Sequence, residues 1–329
     1  MCTGLTLITK DNKHLFGRNL DVPATYGQFP LIVPRNFEWV NVVNKDTYIS
    51  KYACAGMGIV VDNQPLLFDA LNEKGLAGGG LNFTHFAKFN DVAIDGKVNI
   101  SASNFLYWAL SNFSNLLELK ESLKNLVLTN TSVKPGLPVA KLHWMFTDLT
   151  GNSIVVEYME NGINVYDNPV GVLTNDPTFP WQLTNLSQYV TLSKDTPQAR
   201  KFSEYVATPY GHGLGMCGIP GDASPASRFV RTAFFRDCIA EADDEITGVS
   251  AFLQVLTSVT VLKGSEVDPN GDLNHTLYKS CMCQESGTYY YTDYSNNRIN
   301  AICLDKADLE SKEIIKFNYN NKQDILYQN

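Results

Sequence analysis

Residues 1–21 read MCTGLTLITKDNKHLFGRNLD, with a cysteine directly after the initiator methionine. One reading is a buried Cys in a first strand, since free Cys behaves as a small hydrophobe. The other is chemical: removing Met1 leaves Cys2 with both a thiol and a free α-amine. The stretch reads as two strands, 2–9 and 14–20, around a Lys10-Asp11-Asn12-Lys13 turn. A turn centred between Asp11 and Asn12 sets Cys2 opposite Asp21 and Leu5 opposite Arg18. Arg18 then lies on the other face from Asp21. Bringing it to the thiol needs a bulge or bend, and Gly17 is one place to allow it. A surface Arg and a strand-end Asp are the plain alternative.

The chemistry available to such a terminus is specific. A thiolate is the nucleophile, and free Cys has a pKa of about 8.5. An α-amine titrates near ~8, so it can take the thiol proton at neutral pH and return it to an amine leaving group. A nearby Arg favours the thiolate. No separate catalytic His is required, which suits a chain with five: His14, His85, His143, His212 and His275. His143, in KLHWMF, reads as a hydrogen-bonded core residue.

Outward from the N-terminus, a second hairpin spans 65–83, turning at Asn72-Glu73-Lys74-Gly75. Its glycines 78–80 weaken a strand unless backbone or ligand approaches closely there. Residues 101–128 read as two helical pieces. The second follows a Ser114 cap, with Leu116, Leu117, Leu119, Leu123 and Leu126 as its apolar stripe. Residues 129–140 form a Pro/Gly loop, 141–175 return to strand character, and 176–226 read as loop. Ser224-Pro225 opens a helix through about Ala240, and another covers 247–260. Strands at 276–283 and 288–294 and one after Ser295-Asn296-Asn297 close the chain. With no repeat or linker, residues 1–329 read as a single domain of layered α+β type.

Composition limits the partners. The 329 residues are 44% hydrophobic and 18% charged, with a net charge of −8, the profile of a globular chain with a sizeable core. The acidic balance argues against nucleic acid and anionic membrane surfaces. No apolar run approaches the roughly 18 residues of a membrane span, and Lys10 through His14 interrupt any secretory segment, so the chain reads as cytoplasmic. Seven cysteines fit reduced thiols better than a disulfide framework.

Two patterns are set aside. GLGMCG at 213–218 matches a dinucleotide fingerprint, but neither a preceding strand nor a following helix is present. Cys281 and Cys283 lack the second pair that tetrahedral zinc needs and read as core thiols, so no metal is expected. Asn175, at the end of VGVLTN, is either a turn former or an oxyanion donor, and Asn82 in GGGLNF carries the same ambiguity. Arg228, one turn into its helix, is either a solvated or ion-paired side chain or part of a charged site.

Five segments together carry a resemblance: MCTGL…FGRNLD, NEKGLAGGGLNF, DNPVGVLTNDP, GIPGDASPASRFVR and YKSCMCQESGTYYYTDY. Over essentially the whole length the chain resembles the choloylglycine hydrolase family, and within it the bile salt hydrolases of gut bacteria. The resemblance implies the N-terminal nucleophile hydrolase fold, a four-layer αββα sandwich, in a homotetramer, and a bacterial cytoplasmic enzyme without cofactor. It implies cleavage of the amide between a bile acid and glycine or taurine through a thioester, with Met1 removed. Cys2 is then the nucleophile and its α-amine the base. Asp21 and Arg18 position and polarise that terminus, Asn175 and Asn82 hold the oxyanion, and Arg228 completes the charged site. Leu20, Val61, Val133 and Leu137 are expected against the steroid. Penicillin V acylase is the alternative activity, although Asn at 82 follows the bile-salt pattern where those acylases commonly carry Tyr. A non-catalytic bile-acid-binding or thiol-redox protein is the reading from another class. The GGG at 78–80 is a departure from the family pattern.

Overall fold

The turn of the first hairpin sets the register of everything around Cys2. In the computed structural model, which describes residues 1–268 and 270–329, Thr9 N–H donates to Lys13 O at 3.1 Å and Asn12 N–H to Thr9 O at 3.0 Å. Asn12 has φ 59°, in the left-handed region that Asn tolerates. The loop is therefore three residues long, a tight turn followed by one left-handed residue. Strands β1 (Cys2–Ile8) and β2 (His14–Val22) pair one step away from the expected register. Cys2 faces Leu20 and Gly4 faces Arg18, correcting the expected Cys2–Asp21 and Leu5–Arg18 pairs. Because side chains alternate, this step moves Arg18 onto the face of Cys2. No bulge is needed, and the pairing runs unbroken from Cys2 to Ile8. Gly17 answers a different demand: a Cβ there would lie 2.1 Å from Ser280 O on the neighbouring strand.

The remaining strands of the two large sheets are β3 (Phe29–Val33), β4 (Cys54–Val61), β5 (Gln64–Asn72), β6 (Ala77–Asn82), β7 (Leu142–Thr147), β8 (Ser153–Met159), β9 (Gly162–Asp167), β10 (Val172–Leu173), β11 (His275–Cys283), β12 (Thr288–Asp293), β13 (Asn296–Cys303) and β14 (Ile315–Lys316). One sheet has six strands in the order β10-β1-β2-β11-β12-β13, and the other has eight, β9-β8-β7-β6-β5-β4-β3-β14. The sheets meet where β1 and β2 pack on β6. Helices α4 (Pro225–Cys238) and α5 (Glu245–Thr257) cover the outer face of the six-stranded sheet, and α1 (Phe105–Asn112) covers β5 and β6 of the other. The result is the four-layer αββα sandwich.

Two apolar clusters follow from this layering. One fills the space between the sheets and under α4 and α5, with Phe16, Met57, Leu81, Phe229 and Met282; the other lies under α1, with Trp39, Phe105, Trp144 and Phe146. Each such side chain stabilises the fold by roughly 1.5–3 kcal/mol of burial.

The helix starts show where local chemistry governs. Ser224 caps α4 by accepting from Ser227 N–H, with Pro225 in the first turn. Helix α2 (Leu116–Leu123) is capped by Asn115 rather than Ser114, because the Asn115 side chain accepts from Glu118 N–H. Leu126 leaves the expected stripe for a parallel strand, Leu126–Thr129, and Leu117 points to solvent. The stretch read as loop at 176–226 contains helix α3 (Phe179–Leu186), whose Pro180 falls in the first turn, where no helical N–H is lost.

Candidate active site

Cys2 opens β1 with its side chain toward the space between the sheets, 3% exposed. Arg18, equally buried on the adjacent strand, donates from Nη2 to Cys2 Sγ. Its other nitrogens are taken by main-chain carbonyls: Nη1 by Gly80 O and Phe68 O, Nε by Asn19 O. The glycines of β6 make this possible. A Cβ on Gly79 would lie 3.2 Å from Asp69 Cβ and 3.6 Å from Arg18 Cδ, while one on Gly78 would strike the Phe146 ring at 2.5 Å. Gly79 thus leaves the room beside which Arg18 crosses to the second sheet, while Gly78 and Gly80 make way for Phe146, Leu142 and Trp144 on the opposite face.

Arg228 arrives from the other side. The capped first turn of α4 aims it at the start of β1, where Nη1 donates to Cys2 O at 2.5 Å and Thr3 Oγ1 at 2.6 Å. Nη2 donates to Asn175 Oδ1 at 2.7 Å, and Nε to Ala223 O at 2.9 Å. Asn175 follows the short strand β10 beside β1. Its Oδ1 also accepts Cys2 N–H at 2.8 Å, and its Nδ2 donates to Asn82 O at 2.8 Å. Two donors on one end and a carbonyl on the other fix the orientation of the amide. Of the two ambiguous asparagines, Asn175 is buried in this network. Asn82 joins it through its carbonyl and keeps its side chain exposed.

Asp21 is reached through the main chain. Met1 O accepts Asp21 N–H at 2.9 Å, and the Met1 ammonium donates to Asp21 O at 2.6 Å. The register turns the Asp21 side chain away from the Cys2 face, so the expected cross-strand contact is replaced by one to Thr276 Oγ1 at 2.6 Å. Asp21 Oδ2 is buried without a hydrogen-bond partner. Burial disfavours the charge on both guanidiniums. Around Arg18 this is outweighed by Cys2, Tyr278, Asp69 and Asp21, which hold its proton more tightly than usual; Arg228, despite Asp21 and Cys2, is left below its ordinary value.

The four residues expected against a steroid lie on three segments. Leu20 is paired with Cys2 on the ladder and buried. Val61, at the end of β4, and Val133 and Leu137, in the loop after Thr129, are half-buried. Lys134 Nζ, 3.2 Å from Asp62 Oδ1, holds that loop against the β4–β5 turn.

His143 is core, as expected: it is fully buried, stacks on Phe83 at 4.4 Å, and places Nε2 3.0 Å from Thr174 O. Residues 213–218 hold only a single 3-10 turn, and Cys281 and Cys283 are buried. All seven cysteines are free thiols. Among the described residues no helix is long and apolar enough to cross a membrane. Sequence reading missed Thr3, whose partner Arg228 lies 225 residues away. It also missed Asp69, Tyr278 and Tyr289, a buried cluster behind Arg18 drawn from three strands.

This arrangement has counterparts among known proteins. Residues 2–317 match the family of linear amide C–N hydrolases, choloylglycine hydrolase family. The bile salt hydrolase/transferase of Clostridium perfringens is 45% identical over the full length of both chains. The crystal structure of the C2A variant of conjugated bile acid hydrolase from the same organism superposes with a TM-score of 0.95 at 44% identity, again over all of both chains. Penicillin V acylase from Agrobacterium tumefaciens shares the fold at a TM-score of 0.77 and 21% identity, over 96% of this chain and 90% of that one. A cysteine at the strand start, an arginine on its sulfur and an asparagine on its nitrogen thus sit on a fold and a sequence that agree: this chain belongs to the choloylglycine hydrolase family.

Proposed function

We propose that this protein is a conjugated bile acid hydrolase that cleaves the amide between the steroid acid and glycine or taurine, as a single catalytic domain. One observation carries the reading: the thiol and main-chain nitrogen of Cys2 are held separately, the first by Arg18 and the second by Asn175. With Met1 in place that nitrogen is an amide. Removing Met1 converts it into an α-amine beside the nucleophile, and the unpartnered Asp21 Oδ2 is a ready acceptor for its added N–H groups.

The reaction follows from these groups. The α-amine takes the Cys2 proton, and Sγ attacks the amide carbonyl. Negative charge gathers on the carbonyl oxygen, where the second N–H of Asn175 Nδ2 and the Asn82 segment offer donors. The C–N bond breaks as the α-ammonium gives its proton to the departing amino group. Water, deprotonated by the same amine, then attacks the thioester, releasing the bile acid and the thiolate. Arg18 stabilises the thiolate each time it forms, and Arg228 holds Asn175 and the Cys2 carbonyl in place.

The names of the relatives support the substrate class, and so does Asn at 82. A homotetramer in the bacterial cytoplasm completes the reading, with Phe202, Tyr205, Val206 and Tyr210 as an exposed apolar group suited to contact between copies. The deciding experiment pairs N-terminal mass with hydrolysis on one preparation, comparing a taurine conjugate with penicillin V. Loss of Met1 and a higher kcat/KM for the taurine conjugate are expected. Turnover by protein that retains Met1, or a preference for penicillin V, overturns the reading.

A further inference from the structure

Arg18 is a buried cation with no carboxylate in contact. Among the described residues, every hydrogen bond of its guanidinium goes to a main-chain carbonyl or to the Cys2 sulfur. Burying a guanidinium in an apolar interior without a nearby negative charge is strongly unfavourable. The space beside it holds one. Asp69 lies on β5 directly opposite Gly79, and its Cβ and Arg18 Cδ both border the volume that glycine leaves empty.

The Asp69 carboxylate is fully buried, and each oxygen accepts a phenol: Oδ2 from Tyr278 on β11, and Oδ1 from Tyr289 on β12 at 2.7 Å. One donor per oxygen is the pattern that suits an ionised carboxylate. Burial pushes the Asp69 carboxyl up, and the Arg18 charge and the two phenols oppose that rise. Ser280 Oγ accepts the Arg18 main-chain N–H at 3.2 Å. Two tyrosines from one sheet thus clamp an acid of the other.

We propose that Asp69, clamped by Tyr278 and Tyr289, is the fixed counter-charge of Arg18 and thereby a positioning residue that sets how much of the Arg18 charge the Cys2 thiolate receives. The charges that face one another here are Arg18 on β2, Arg228 on α4, Asp21 at the end of β2, Asp69 on β5 and the Cys2 terminus on β1, with Tyr278, Tyr289 and, beside Cys2 and Arg18, Tyr26 as the titratable neighbours. Two cations and two anions balance before the thiol is counted. Moving the Cys2 proton to its own α-amine keeps that balance. Neutralising Asp69 leaves one positive charge in excess, nearest the sulfur.

The inference rests on Cys2 as the reacting thiol and is tested on that thiol alone. Processed Asp69→Asn protein, with folding checked by circular dichroism, is alkylated with iodoacetamide across pH, and modification is read on the Cys2 peptide by mass. The alkylation midpoint is expected about one pH unit below wild type. The plateau rate should fall about threefold, because a thiolate of lower basicity is a weaker nucleophile. Tyr278→Phe and Tyr289→Phe each loosen the hold on the negative charge and should move the midpoint the same way by less. An unmoved midpoint in folded Asp69→Asn, or a rise as Arg18 drifts from the sulfur, overturns the proposal. Should Asp69→Asn not fold, the two Phe variants decide by the same criterion. Normal wild-type alkylation without bile acid hydrolysis would sink the functional reading and leave this one standing.

Discussion

Asn175 takes the main-chain N–H of Cys2 on its Oδ1 at 2.8 Å, across 173 residues of chain. The same oxygen accepts Arg228 Nη2. In the mechanism we propose, this contact fixes the direction of the α-amine once Met1 leaves, and the far end of the amide serves the oxyanion. Asn175→Ala should therefore fold and lose about 10²–10³-fold in kcat with a smaller change in KM. Steady-state kinetics on a taurine conjugate check this.

Cys2→Ala and Cys2→Ser should both reach the native fold, because the site around residue 2 is held by main-chain groups that the substitutions keep. Turnover should fall by at least ~10³-fold in each, the serine hydroxyl being a far weaker nucleophile beside an amine base. Near-normal hydrolysis by either variant contradicts the covalent mechanism.

Gly17→Ala should be the most damaging of the small-residue changes near the site. Its Cβ would meet the backbone oxygen of Ser280 at 2.1 Å, and only separation of β2 from β11 relieves that. A loss of about 3 kcal/mol or more is expected, read from the urea midpoint. Gly79→Ala, whose nearest contact is a side-chain carbon at 3.2 Å, should cost less.

Asp222, just before α4, is held down to about 2 by hydrogen bonds from Ser224 and Ser227. A carboxylate held down in the folded state adds stability above its ordinary value of 3.8, and that contribution disappears as pH falls from there to about 2. Asp222 is exposed, so solvent screening keeps the effect under ~1 kcal/mol. Asp222→Asn should be less stable than wild type near neutrality and converge with it at the acid end of that window. Unfolding free energies measured across pH show whether the gap closes.

Hairpins and capped helices were legible because their signals are local. The strands near 2–9, 14–20 and 65–83, and the Ser224-Pro225 start of α4, needed only alternation and capping chemistry. Helix α3 was hidden by Pro180, which breaks helices everywhere except their first turn. In β3 and β4, Pro30 and the glycines at 56 and 58 blur the alternation that marks a strand.

The site divides along the same line. Cys2 stood out by position, Arg18 and Asp21 by the hairpin count, and Asn82, Asn175 and Arg228 stayed ambiguous until family resemblance gave them roles. The pairing of Arg228 with Thr3, and of Asp69 with two tyrosines more than 200 residues away, is set only when separate strands and helices close on one another. The register of the first hairpin failed for a subtler reason, since it depends on the sign of φ at one residue, Asn12.

That residue gives an exposed turn unexpected authority over the chemistry. Lys10, Asp11 and Asn12 lie at the far end of the ladder from Cys2, where surface loops ordinarily gain or lose a residue without penalty. Here the loop works as a phase setting. Adding or deleting one residue rotates Arg18 half a cycle, toward the helices and off the sulfur, while both strands keep their sequence. Variation in this turn should therefore be confined to identity rather than length. Among relatives of this chain, a turn of altered length should be found only with a compensating bulge further up the same two strands.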